Sequence, residues 1–162
     1  MNTSKAIHTN SDWESMVNSI VGNKIVSLEM CDFFLGKLLG YGVSRCVFEY
    51  SFDKRFVVKI DLSDYNANVI EANIWQHVAR IPKLSKWFAP VGMLSRCGRI
   101  MFQRKCNTKT EVSKYPKNIP DFFRDVKYSN WGLLGDRVVC FDYSHVSITQ
   151  LGDNKMVKAN FV

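Results

Sequence analysis

No stretch of the sequence approaches the ~20 consecutive apolar residues that span a bilayer, so no membrane segment is expected. The first fifteen residues, MNTSKAIHTNSDWES, hold neither an apolar core nor a small-residue cleavage site, which argues against a secretory signal. Cysteine pairing is also wanting. The five cysteines, Cys31, Cys46, Cys97, Cys106 and Cys140, are odd in number and none has CxxC spacing. That speaks against a disulfide framework or a zinc site and favours reduced thiols, hence a cytoplasmic setting, or a host cytoplasm if the source is viral. Internal repeats and low-complexity tracts are missing too.

What the chain does have is the composition of a folded domain. Of its 162 residues 46% are hydrophobic, 13% aromatic and 23% charged, enough for one compact core and too few for two sizeable domains. Lys and Arg number 22 against 15 Asp and Glu, for a net charge of +7. Such a balance suits acidic partners, nucleic acid or polyphosphate, although a solvated basic surface gives the same sum.

Periodicity predicts α+β. Ser11 and Glu14 form a capping box ahead of Trp13, Met16, Val17, Ile20 and Val21 at helical spacing, ended by Gly22-Asn23. Strands are predicted around 37–39, at Cys46–Tyr50 and at Phe56–Ile60. A helix capped by Ser63 or Asp64 should run to about Arg80, with Ile70, Ile74 and Val78 on its apolar stripe. Strands Phe88–Leu94 and Ile100–Gln103 follow around a Ser95–Gly98 turn, then a polar, lysine-rich loop over 105–119 and a final strand at Arg137–Phe141. Five antiparallel strands with one helix after the third is the resulting arrangement.

Four local features carry chemistry. Gly40-Tyr41-Gly42 lies between two strands, where glycines let backbone N–H groups approach phosphates, or simply make a hairpin turn. Lys59 sits in the apolar run Val57–Ile60 and either points outward or needs an anionic partner. Glu71, beside the apolar stripe of the following helix, can supply that partner or remain a solvated acid. Last come Arg124-Asp125-Val126-Lys127-Tyr128-Ser129-Asn130 and, beyond them, Phe141-Asp142-Tyr143-Ser144. An acid that orients an attacking group and oxygen ligands for magnesium are what phosphoryl transfer requires, and Asp125, Asn130 and Asp142 are of those types. Turn-forming Asp and Asn are the plain alternative.

Taken in order, from Leu38 to His145, these features resemble the protein kinase superfamily, in particular divergent microbial or phage kinase-like proteins. The resemblance implies that Gly40 and Gly42 belong to a glycine-rich loop and that Lys59 holds nucleotide phosphates with Glu71 as its partner. Asp125 would be the catalytic-loop aspartate, and Lys127 would contact the transferred phosphate. Asn130 and Asp142 would hold Mg²⁺. ATP is the implied nucleotide. The pattern is incomplete. Arg45 stands where a third glycine is expected, Phe123 replaces a histidine, Tyr143-Ser144 follows Asp142 where Phe-Gly is usual, and the sequence given stops at Val162. The implied organisation is a single kinase-like domain over 1–162, with an N-terminal helical extension (1–36), an N-lobe of five antiparallel strands plus a helix (37–104) and a minimal C-lobe with the catalytic and metal-binding loops (105–162). The implied activity is ATP-dependent phosphotransfer. The alternative is a pseudokinase-like binding module that engages a protein partner. The clusters Lys83/Lys86, Arg96/Arg99/Arg104/Lys105 and Lys114/Lys117 leave a nucleic-acid partner as a third expectation.

Overall fold

A computed structural model describes residues 33–152 and 155–162. The helix expected over residues 11–21 lies outside them, as does Cys31. Strands β1 (Leu35–Tyr41), β2 (Arg45–Tyr50) and β3 (Phe56–Asp61) form an antiparallel meander. The chain then leaves the sheet for helix α1 (Ala67–Val78) and the one-turn α2 (Pro82–Ser85). It returns as β4 (Val91–Leu94) and β5 (Ile100–Arg104), giving a five-stranded antiparallel sheet of order β1-β2-β3-β5-β4. The α+β class, the five strands and the helix after the third therefore agree with the sequence reading.

Beyond β5 the chain makes two small ribbons. Strands β6 (Asn118–Pro120) and β9 (Met156–Lys158) pair, as do β7 (Trp131–Leu134) and β8 (Arg137–Cys140). Of these only β8 was expected. Gly135 turns the β7–β8 hairpin at φ 60°, a conformation open to glycine at little cost.

The strand expected over Phe88–Leu94 is shorter. Pro90 cannot donate to a ladder, so regular pairing starts at Val91, and Phe88 keeps a single parallel bridge to Cys140. The helix expected from Ser63 or Asp64 starts three residues later. The buried carboxylate of Asp61 accepts from Ser63 N (3.0 Å) and Ser63 Oγ (2.9 Å), and Asn66 adopts φ 53°, so residues 62–66 form a turn. Ile70 of the expected stripe is exposed, while Ile74 and Val78 are fully buried.

Alternation along β3 divides the packing. Val58 and Ile60 join Cys46 and Phe48 in one cluster, whereas Val57 and Lys59 face a cleft. The larger core lies under the sheet, where Ile74 and Val78 of α1 meet Leu84, Phe88, Phe122, Phe123, Trp131, Tyr143 and Leu151. It ties α1 to the chain segments that carry Asn130 and Asp142. Cys46, Cys97, Cys106 and Cys140 are free thiols. Among the described residues no helix is long and apolar enough to cross a membrane.

Candidate functional site

Two buried polar residues fix α1 against the sheet. Asp61 accepts from the backbone N–H of Asn68 (3.3 Å), and Asn68 Nδ2 donates to the carbonyls of Lys59 (3.1 Å) and Arg99 (2.9 Å). One turn further on, this docking points Glu71 at the sheet. Its carboxylate is fully buried and meets Lys59 Nζ at 2.9 Å through Oε2. A buried ion pair persists only if its remaining hydrogen-bonding capacity is met. Here Glu71 Oε1 accepts from the backbone N–H of Tyr143 (3.1 Å) and faces Arg45 Nη1 (2.9 Å), while Lys59 Nζ also donates to the carbonyl of Phe141 (2.5 Å). Glu71 thus ties sheet, helix and the 141–143 loop together.

Arg45, the first residue of β2, completes the cluster. Only 7% exposed, it reaches Asp142 Oδ1 through Nη2 at 2.5 Å. Burial presses its pKa down, but Glu71 and Asp142 outweigh that and hold it above the ordinary arginine value. Burial likewise pushes the Asp142 carboxyl up, and the charges of Arg45 and Lys59 bring it below the ordinary carboxylate range. Sequence reasoning passed over Arg45, treating it as a lost glycine. The signal was present: an arginine beginning a strand of buried residues needs an anionic partner.

Arg45, Lys59 and Asp142 line a cleft of about 500 Å³ between the sheet and the lower loops, with Glu71 buried behind them. Its apolar wall is Leu39, Val47 and Val57, and its far rim is Arg104, Lys105 and Cys106. Gly40, Gly42, Lys59, Asn130 and Asp142 all border it. Neither glycine has a positive φ, and a Cβ built on either meets nothing within 4 Å, so the protein's own packing demands glycine at neither place. Gln103, which also borders the cleft, is 1% exposed, and its amide lies against the Tyr143 side chain. Burial raises the Cys106 thiol to about 11, against the lowering effect of Lys59 and Arg104.

Asp125 and Lys127 stand outside the cleft wall. Asp125 Oδ2 accepts from Asn130 Nδ2 (3.0 Å), and its Oδ1 pairs with Lys127 Nζ (3.0 Å). Asn130 bridges them to Asp142, since its backbone carbonyl accepts from the N–H groups of Phe141 (2.9 Å) and Asp142 (3.4 Å).

Magnesium binds through one or two carboxylates completed by phosphate oxygens and waters. Asn130 and Asp142 would suffice in number, but Asp142 Oδ1 is already held by a buried guanidinium. Among the described residues no three His, Cys, Asp or Glu side chains gather as a metal site. With the Arg45–Asp142 pair in place, the donors do not fit the ion. No protein-family model matches the chain, and no curated protein matches it significantly.

Proposed function

We propose that the cleft binds a nucleoside triphosphate, ATP being the expected one, and that the chain is a kinase-like module of reduced size. The observation that carries this reading is the buried Lys59–Glu71 pair (2.9 Å) at the wall of a cleft bordered by Gly40 and Gly42. A lysine fixed by a carboxylate is a positioned point charge for phosphate oxygens. Only two of its three ammonium donors are committed, to Glu71 and to the Phe141 carbonyl. The volume is that of a small-molecule site, typically 300–1,000 Å³. The apolar wall formed by Leu39, Val47 and Val57 suits a base.

Displacement of a fluorescent ATP analogue by ATP tests this, comparing the native protein with Lys59→Met. Glu71 keeps Arg45 as a partner in the variant, so the fold should survive, which melting without nucleotide verifies. The variant should lose roughly tenfold or more in affinity, the worth of about 1.4 kcal/mol. Equal affinity, or none in the native protein, overturns the nucleotide reading.

Phosphotransfer is the proposed activity, with Asp125 orienting the acceptor and Lys127 steadying the transferred group. Asp125→Asn should leave nucleotide affinity unchanged and remove transfer of label from γ-labelled ATP, a loss on the order of 10²–10⁴ in rate. A second reading, a nucleotide-holding module that engages a protein partner without chemistry, draws on the Arg45–Asp142 pair, which ties up the carboxylate that the kinase resemblance would give to Mg²⁺. Equal label transfer by the native protein and Asp125→Asn, or none by either, would decide for that reading.

A further inference from the structure

We propose that Arg45 takes the place of a divalent cation in this cleft, so that the nucleotide's phosphates are held without metal. The inference rests on the nucleotide reading and concerns which charge neutralises the phosphates.

Arg45 is positioned where a cation bridging the two halves of the cleft would be. It joins Glu71 of α1 to Asp142 of the loop after β8, at 2.9 and 2.5 Å. With Lys59 it forms a cluster of two cations and two carboxylates that sums to zero. A free divalent ion entering this cluster would share Asp142 with a guanidinium from which it is repelled, in a buried site where screening is weak. It would also have to compete with an ion pair whose partners are covalently tethered to the fold.

The guanidinium has capacity left for a ligand. It carries five N–H donors. Nη2 is engaged by Asp142 and Nη1 by Glu71, two contacts for five donors. Arg45 itself borders the cleft, next to Gly42, Ser44 and Lys59. Arginine also suits phosphate better than lysine, because its planar fork contacts two oxygens at once. The turn before it is pinned by the Gly42 N–H donating to the Arg45 carbonyl (2.8 Å), which sets the start of β2 and with it the direction of the side chain.

The experiment is ATP binding by isothermal calorimetry in EDTA and in excess MgCl₂, on the native protein, Arg45→Ser and Arg45→Lys. Native affinity should be the same in both buffers, a coupling factor near one. Arg45→Ser frees Asp142, so its affinity should fall in EDTA and recover in MgCl₂, with a metal coupling on the order of tenfold or more. Arg45→Lys, with charge but no fork, should lie between them. Native protein that binds ATP tenfold more tightly in MgCl₂ overturns the proposal and leaves the nucleotide reading standing. An Arg45→Ser affinity that is unchanged in EDTA also overturns it. Native protein that binds ATP in neither buffer overturns both. The comparison between buffers on the native protein needs no variant to fold.

Discussion

Lys59 and Arg45 are cations with almost no contact with water, and each persists because carboxylates surround it. At this scale the sequence was partly readable. A lysine inside Val57–Ile60 either faces out or needs an anion, and an acid beside a helical apolar stripe can supply one; the two pair at 2.9 Å. For Arg45 the sequence signalled the need for an anionic partner but not which one. Nothing in its spacing links it to Asp142, 97 positions on, and only the folded loop brings the two within 2.5 Å. The pair has a consequence for acid stability. Asp142 has a folded-state pKa below its ordinary value near ~3.9. A depressed carboxyl binds fewer protons folded than unfolded, so it adds stability above the ordinary value and loses it as pH falls through the folded one. Denaturant titrations between neutrality and strong acid should show that loss in the native protein. The Asp142→Asn variant, which has no such carboxyl, should show a shallower decline. Parallel curves for the two would mean that the Arg45–Asp142 contact is not kept in solution.

Elements were legible where hydrophobic period and length agreed. Cys46–Tyr50, Phe56–Ile60 and Ile100–Gln103 were found within a residue or so of β2, β3 and β5. The first turn of α1 was misplaced because Ser63 and Asp64 resemble caps, whereas Asp61 takes the Ser63 donors for itself. Strand β7 escaped because the four residues Trp131–Leu134 are too short a run to show a period, although the Gly135-Asp136 turn and the strand beyond it had a hairpin's signature. The three-residue strands β6 and β9 are too short for any period to register. Glycines at element ends separate packing from ligand demand. Gly98 has φ 76°, and a Cβ there would lie 2.5 Å from Val69 Cγ2. Gly98→Ala should therefore destabilise the fold by at least the 1–2 kcal/mol of a left-handed residue. Gly42→Ala, with open space around it, should leave the melting temperature unchanged and weaken ATP binding. Melting and binding measured on both variants check this. If Gly42→Ala binds ATP like the native protein, the glycine serves only the turn.

For the whole molecule, the +7 charge suggested nucleic acid as well as nucleotide. Folding gives Arg99, Arg104 and Lys105 of the 96–105 cluster separate partners. Arg99 pairs with Asp64 and with the Ser63 carbonyl, and Lys105 with Glu49 at 2.6 Å. Arg104 lies over the Phe56 ring. Arg104, the last residue of β5, and Lys105 after it also border the cleft. The core beneath the sheet joins α1, Phe122, Phe123, Trp131 and Tyr143, so the walls of the cleft are built on one packed body. The central claim is that this cleft holds the nucleotide. Backbone amide NMR of the 18.7 kDa chain during an ATP titration tests it most directly. The amides of Gly40, Gly42, Lys59, Lys105, Cys106, Phe141 and Asp142 should shift together along one saturating curve. Shifts confined to surface lysines such as Lys114 and Lys117, or none at millimolar ATP, would contradict it.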